Sequence, residues 1–388
     1  MQFKNIVGQN EIKAVLVQSV KNQRVSHAQL FLGAEGSGNL AMAVAYAQYI
    51  SCTSKGEDDS CGICSSCNKY NKLIHPDLHF AVPITKKKED DKNVTTDNYL
   101  PEWREAVLQN PYLNLFQWME ALDVENKQLL ISARECDEIV KKLSLKPYES
   151  EYKIMIVWQP EKLFHAAAPK LLKVLEEPTN KTVFILVSQN YEQVLPTILS
   201  RTQLVKFGKI KDEDIAKALI EKFHLPPQSA ENIASLVDGS FSEAMRLAAD
   251  DSDESFNHKN FLPWMRFCYS AFEKENMLKL IDKIEDLSKA GRERQKDFLA
   301  YCMYVFRECV MLHYTGGSLS KLKGQSLEEI KKFARFVNEE NILQLNEEFN
   351  SAIADVERNV YAKTLFLDLS LKTARLLRTD NKSTPISR

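Results

Sequence analysis

The chain has 388 residues and a formal net charge of −2 at pH 7, with 44 % hydrophobic and 27 % charged residues. This composition is typical of a globular protein with several cores, and it excludes a strong overall attraction to nucleic acid or anionic membranes. The N-terminus lacks the pattern of a signal peptide, and no apolar run approaches the roughly 18–20 residues that span a bilayer. We therefore expect a cytoplasmic protein with no membrane partner.

The first 207 residues alternate short apolar runs with helical patterns. The runs lack strict alternation, which is typical of parallel strands buried on both faces. They are residues 29–32, 78–82, 153–157, 183–187 and 203–207. This order predicts an α/β domain with a helix-flanked parallel sheet.

Helix signals lie between the runs. An Ala-rich helical pattern follows Gly38, and Ser132 and Glu135 have the spacing of a capping box. A third helix carries Leu171 and Leu175 and must end before Pro178.

An insertion at about 84–128 interrupts this scheme. Its charged run, 86–92, is interpreted as a solvated loop. Five aromatic residues follow, and we expect them to pack a short local helix rather than to bind a ligand. These are Tyr99, Trp103, Tyr112, Phe116 and Trp118.

The remaining chain is helical in pattern. Residues 208–250 are compact, the acidic stretch 250–255 is interpreted as a linker, and 256–380 show only helical periodicity. One apolar helix face contains Phe298, Cys302, Val305, Phe306, Cys309 and Leu312. The tail, 381–388, is expected to be disordered.

Four of the eight cysteines form a dense cluster, Cys52, Cys61, Cys64 and Cys67. Zn²⁺ prefers four thiolates in a tetrahedron, and C-x2-C spacing presents two of them from one turn. A cytosolic setting favours metal binding over disulfides. An iron–sulfur interpretation lacks that motif's last cysteine and following proline. The cluster predicts structural zinc, because four thiolates leave no open coordination position.

Residues 33–40 have the strand-to-helix context and glycine spacing of a phosphate-binding loop, with Gly33, Gly36 and Gly38 in the turn. The expected lysine and serine or threonine are replaced by Asn39 and Leu40. Asn39 offers no cation to the phosphates, and Leu40 offers no oxygen to Mg²⁺.

The strand at 153–157 should end in an Asp for the metal and a Glu for water activation, but Trp158 and Gln159 stand there. We therefore expect no ATP hydrolysis by this chain. Weak nucleotide binding by backbone N–H groups remains one alternative. A simple tight turn at Gly33–Gly38 is the other.

These motifs, in this order, resemble the delta-prime family of clamp-loader subunits of bacterial DNA polymerase III, which are relatives of the gamma/tau ATPases. The resemblance covers most of residues 1–250. It also includes Phe3-x-x-Ile6-Val7-Gly8-Gln9, His27-Ala28, the stretch from Leu171 to Pro178 and Leu199-Ser200-Arg201.

The resemblance implies a AAA+ core (1–207) with a zinc module (52–67), a helical lid (208–250) and an all-α collar (256–380). It implies a rigid subunit that assembles with gamma/tau and delta subunits, acts on the sliding clamp indirectly and reaches primed DNA through the ring. By resemblance, Arg201 is an arginine finger acting in trans and Arg246 is the lid arginine. From the residues alone, Arg201 also suits a cation that binds helix C-terminal carbonyls, and Arg246 is interpreted as structural.

Two other functions compete with this interpretation. An active gamma/tau-like ATPase would need other residues to replace the four missing ones. A zinc-bearing nucleic-acid adaptor outside any ring would bind DNA tightly and in a salt-dependent manner, which the balanced charge does not favour.

Overall fold

A computed structural model describes residues 1–86, 94–124, 129–164, 166, 168–179, 181–249, 253–315 and 330–378. All but the first residue of the charged run at 86–92, and the whole tail at 381–388, lie outside the described residues. The chain divides into two compact units, Met1–Arg246 and Leu247–Arg388. No helix of the described part is long and apolar enough to cross a membrane.

The first unit is built on a five-stranded parallel sheet with the order β2-β3-β4-β1-β5. The strands are β1 (Ala28–Leu32), β2 (Leu78–Ala81), β3 (Lys153–Trp158), β4 (Thr182–Ser188) and β5 (Gln203–Lys206). All five predicted strands are confirmed. Strands β1, β3 and β4 are buried along nearly their whole length because helices cover both faces of the sheet, whereas β5, at the edge, is largely exposed.

Helices surround this sheet and continue beyond it. In the first unit they are α1 (Asn10–Lys21), α2 (Asn39–Ser51), α3 (Ser65–Tyr70), α4 (Leu100–Gln109), α5 (Leu115–Ala121), α6 (Ala133–Ser144), α7 (Ala168–Glu176), α8 (Pro196–Leu199), α9 (Asp212–Phe223), α10 (Pro227–Leu236) and α11 (Phe241–Ala249). Helix α11 begins in the first unit and ends in the second. The parallel sheet with helices on both faces confirms the predicted α/β domain.

The two faces of the sheet are covered differently. Side chains of α2 and of the insertion helices α4 and α5 pack on one face, together with Phe31, Ile156 and Ile185. Side chains of α6 and α7 pack on the other, together with Leu30 and Met155. The insertion is therefore part of the main hydrophobic core, and its aromatic residues do more than stabilise a local helix.

The predicted capping box at α6 forms only in part. Ser132 accepts a hydrogen bond from the Glu135 N–H at 3.2 Å, as expected of an N-cap. The Glu135 carboxylate is buried and accepts instead from the Thr96 N–H at 2.7 Å. It thereby ties the insertion to α6, and burial raises its pKa.

The second unit is helical in its described part. Its helices are α12 (Asp253–Tyr269), α13 (Lys274–Lys289), α14 (Arg292–Thr315), α15 (Ile342–Glu357) and α16 (Ala362–Leu376), and residues 330–334 are also helical. Trp264 lies in the core with ring centroids 5.4 Å from Phe298 and 5.8 Å from Phe366. Its indole N–H donates to Ser370 Oγ at 2.9 Å. The predicted apolar face of α14 points into this core.

Asp77, just before β2, fixes the loop that leads to β3. Its carboxylate accepts backbone N–H groups from Tyr148, Glu149 and Ser150 at 2.5, 2.9 and 2.8 Å. Burial alone would raise the pKa of Asp77, but these hydrogen bonds outweigh it and lower the pKa. Because the folded-state pKa is depressed, the ionised form stabilises the fold above the unfolded pKa, and this stabilisation is lost as the pH falls through the folded pKa.

Replacing Asp77 by Asn is therefore expected to lower the free energy of unfolding by about 1–3 kcal/mol at pH 7. Urea denaturation followed by tryptophan fluorescence measures this, and the difference from the unmodified chain should shrink below about pH 4. Asp97→Asn is a matched control, because the Asp97 carboxylate is 44 % exposed and pairs with Lys142 at the surface. An equal loss for Asp77→Asn at pH 7 and at pH 3.5 would contradict the role of its charge.

Candidate functional site

The loop between β1 and α2 lies at the carboxyl edge of the sheet, where ligands bind in open α/β folds. Gly36 and Gly38 have φ values of +76° and +86°, which only glycine adopts easily. Gly38 is the N-cap of α2, so backbone N–H groups at the helix start are directed toward the loop. The backbone thus keeps the form of a phosphate-binding loop.

Asn39 is turned inward, toward the backbone of the loop. Its side-chain amide donates to the carbonyl oxygens of Ser188 at 3.0 Å and Gly33 at 3.3 Å, and its Oδ1 accepts from the Leu40 N–H at 2.9 Å. Asn39 is 7 % exposed. It therefore joins the loop to the end of β4, and its side chain is already engaged where a lysine would extend toward phosphate.

The two positions at the end of β3 that would carry carboxylates are Trp158 and Gln159. Trp158 is buried and its ring lies 5.1 Å from that of Trp103 in α4. Gln159 follows with a left-handed φ of 58°, and its N–H donates to the Val187 carbonyl at 2.9 Å. Both side chains are 3 % exposed or less. Asn39 and Gln159 thus bond to neighbouring residues at the end of β4, and neither side chain supplies a charge.

The turn before α11 lies directly against the loop. The Phe241 N–H donates to the Gly36 carbonyl at 3.0 Å, and a Cβ at Gly36 would lie 2.9 Å from Ser240 Cα. Arg246, further along α11, forms an ion pair with Glu243 at 2.6 Å. The predicted lid arginine therefore has a partner on its own helix.

Sequence reasoning missed one part of the site. Tyr112, in the insertion, lies on the loop, because a Cβ at Gly38 would be 3.0 Å from its Cε1. Asn114 donates to the Glu35 carboxylate at 2.7 Å. The only signal in the sequence was the density of aromatic residues in the insertion, and this gave no indication of where they dock.

The four cysteines are brought together as predicted. All four sulfur atoms lie within 4.8 Å of one another. Pairs are separated by 3.6 Å (Cys52 to Cys61), 3.9 Å (Cys61 to Cys67) and 4.0 Å (Cys52 to Cys64). A tetrahedral ion with bonds of 2.3 Å needs sulfur–sulfur distances of about 3.8 Å. The cluster can bind a metal ion, and the geometry fits zinc.

The pKa values of the cysteine thiols are also consistent with a bound cation. Burial raises the pKa of Cys67 to about 12 and also raises that of Cys52. Burial opposes ionisation of Cys64 as well, but hydrogen bonds from Thr53 and Cys67 lower its pKa to about 5. Cys64 therefore forms a thiolate readily, whereas burial and the nearby thiols oppose ionisation of Cys52 and Cys67. A bound dication removes that conflict.

Backbone hydrogen bonds hold the sulfur atoms of the same cluster in position. The N–H groups of Cys61, Cys64 and Cys67 donate to the sulfurs of Cys52, Cys61 and Cys64 at 3.3–3.4 Å. Asp59 accepts from the N–H groups of Phe3 and Lys4 at 3.0 Å each. The module is thus attached to the N-terminal segment.

Arg201 lies between α8 and β5, as predicted. Its Nε donates to Glu176 Oε1 at 2.6 Å, its Nη2 forms an ion pair with the same carboxylate, and its Nη1 donates to the Thr197 carbonyl at 2.9 Å. The side chain is 34 % exposed. In the isolated chain the guanidinium therefore binds a helix carbonyl and a carboxylate, and it stays accessible from solvent.

Comparison with known proteins gives a consistent set of relatives. The profile of the family described as "DNA polymerase III, delta subunit" matches residues 8–211. DNA polymerase III subunit delta' of Bacillus subtilis (strain 168) is 26 % identical over 243 residues, which are 63 % of this chain and 60 % of that protein. Subunit tau of the same organism is 24 % identical over 251 residues, 63 % of this chain and 37 % of that protein. The match thus spans less than two thirds of either relative.

Solved structures with similar folds are more distant. A DNA polymerase III gamma subunit-related protein of Thermotoga maritima has 15 % identity and a TM-score of 0.36, with 94 % of this chain and 99 % of that chain covered. The DNA clamp loader delta protein of Bacillus subtilis has 13 % identity and a TM-score of 0.31, with the same coverage.

Proposed function

Because the chain belongs to the family described as "DNA polymerase III, delta subunit", we propose that it is a non-hydrolysing clamp-loader subunit of the delta-prime type. The observation that carries this proposal is the joint loss of charge at the loop and at the end of β3. Four positions on two separate elements carry Asn39, Leu40, Trp158 and Gln159.

The physical cost of these replacements supports the proposal. Each lost charge-assisted contact to phosphate or Mg²⁺ forgoes roughly 1.5–3 kcal/mol. Asn39 and Trp158 are also engaged in contacts within the chain, so that neither is free to take part in phosphoryl transfer. The chain then acts through its neighbours: gamma/tau and delta subunits as direct partners, the sliding clamp indirectly and primed DNA through the ring.

Arg201 is proposed as an arginine finger that enters a neighbouring subunit's ATP site. Its position after a short helix, at the surface of the first unit, supports this role. Its contacts with Glu176 and Thr197 are exchangeable, since an ion pair this exposed contributes only about 0–1 kcal/mol.

Structural zinc is proposed for the cysteine cluster, because four thiolates saturate the ion and leave it no catalytic position. For the organisation of the chain we propose a core at 1–207, a lid at 208–250 and a collar at 256–380 that joins subunits. The separate helical core of the second unit supports the last of these.

The purified chain is expected to show no ATP turnover above that of a mock preparation from cells lacking it. A phosphate-release assay with Mg–ATP measures this. Turnover that co-purifies with the chain would favour the active gamma/tau-like alternative. Tight, salt-sensitive binding of primed DNA by the chain alone would instead favour a nucleic-acid adaptor.

A further inference from the structure

The insertion meets both altered parts of the nucleotide site. Between them, α4, α5 and the loop joining these helices contact the end of β3, the phosphate loop and the turn before α11. Residues from one inserted segment thus reach three elements that would surround a nucleotide. Packing of a local helix does not require this arrangement.

The first contact is aromatic and lies at the end of β3. The ring of Trp103 lies 5.1 Å from both Trp158 and Trp118, and the Trp118 indole N–H donates to the Pro83 carbonyl at 2.8 Å. All three indoles are at most 1 % exposed. Where a metal-binding carboxylate would face Mg²⁺, the chain has a buried cluster of three indoles.

The second contact lies over the phosphate loop. The Tyr112 hydroxyl accepts from the Val7 N–H at 2.8 Å, and one ring edge lies against Gly38. Tyr112 is 3 % exposed. A planar ring with a hydrogen-bonding edge, placed between the N-terminal segment and the loop, offers these elements the kind of contact that a nucleobase would offer.

The third contact joins the ring to α11. The Tyr112 and Phe241 centroids are 4.9 Å apart in an edge-on arrangement, and Phe241 is fully buried. Phe241 also donates its N–H to Gly36. The start of α11 is thus held on the loop by a side chain of the insertion.

We propose that residues 94–124 of the insertion are a built-in occupant of the nucleotide site: they close the site to ATP and hold α11 on the phosphate loop as a bound ligand would. This inference rests on the proposed function only in that both concern the same loop. It goes further, because loss of hydrolysis alone leaves nucleotide binding open.

The unmodified full-length chain gives the first test. Calorimetric titration with Mg–ATP to about 1 mM should give no saturable heat. Amide hydrogen exchange in α9–α11 should be the same with and without Mg–ATP. Saturable binding, or protection of α11 by Mg–ATP, would overturn the inference.

Tyr112→Ala gives the second test. Removal of the ring should speed amide exchange in α11 at least about tenfold, because the packing that holds α11 is lost. Phe116→Ala is the matched control, since Phe116 lies in the same insertion and is 38 % exposed. Unchanged exchange in α11 of a folded Tyr112→Ala chain would contradict the proposal.

If Tyr112→Ala does not fold, Tyr112→Phe keeps the ring and removes the acceptor of the Val7 N–H. Exchange at Val7 should then rise at least about tenfold while α11 stays protected, and unchanged exchange at Val7 would count against the proposal. The two hypotheses fail separately. Binding of Mg–ATP without cleavage would contradict this inference and leave the proposed function intact. Turnover of ATP by the chain would contradict both.

Discussion

Replacing Arg201 by Ala is expected to reduce ATP turnover about 10³–10⁵-fold at the one neighbouring site that it serves in the reconstituted complex. The reason is electrostatic, because a guanidinium that reaches the transferring phosphoryl group stabilises charge that develops in the transition state. Single-turnover hydrolysis by the complex of this chain with its gamma/tau-type and delta-type partners measures the effect.

The contacts of Arg201 in the isolated chain make this transfer feasible. The guanidinium pairs with Glu176, whose side chain is 47 % exposed, so that solvent weakens the ion pair. A triphosphate offers bidentate acceptors with more charge than one carboxylate, and it would compete well for the same donors.

Two controls separate a finger from a simple helix cap. Arg24→Ala removes another exposed arginine of the first unit and should leave turnover unchanged. Size-exclusion chromatography should show the Arg201→Ala complex with its normal subunit composition. If that complex forms and hydrolyses ATP at the normal rate, Arg201 only binds the Thr197 carbonyl.

Loss of the metal is expected to have the largest effect on stability. Elemental analysis should find one zinc per chain, and Cys67→Ser should abolish it, because three remaining thiolates bind zinc more weakly. Structural zinc contributes many kcal/mol to small folds, so the loss of several kcal/mol here should lower the melting temperature of the first unit by roughly 10 °C. Differential scanning calorimetry measures this.

Cys136→Ser is the matched control for this prediction. Cys136 is also fully buried, but it lies in α6 and outside the cluster. Its replacement should reduce stability through core packing and leave the zinc content at one per chain. Iron, or no metal, in the unmodified protein would refute the assignment to zinc.

Local patterns were sufficient to predict the sheet and the cysteine cluster. Each strand coincides with a short run that is rich in apolar residues and lacks a helical period, and such runs have few alternatives in an α/β domain. The cysteines are close in sequence, so two tight turns bring Cys61, Cys64 and Cys67 together with Cys52 at the end of α2. The position of Arg201 after a short helix also followed from local signals.

Contacts between distant segments could not be predicted in the same way. Glu135 has the spacing of a capping box, yet its carboxylate bonds to Thr96, 39 positions away. Tyr112 meets Val7 across 105 positions, and no periodicity encodes that pairing. Arg201 and Glu176 are likewise joined only by the fold. Such contacts depend on tertiary packing, which overrides local preference.

Helix α2 has a mechanical consequence for the first unit. All 13 of its residues, Asn39–Ser51, are buried, and Cys52 follows directly as its C-cap. The helix is about 20 Å long and is packed along its whole length. The thiol cluster lies at its C-terminal end and the glycine turn at its N-terminal end. Because neighbouring side chains surround α2 on all sides, the helix has little freedom to bend. A displacement of its C-terminal end by oxidation of the thiols is therefore expected to reach the glycine turn.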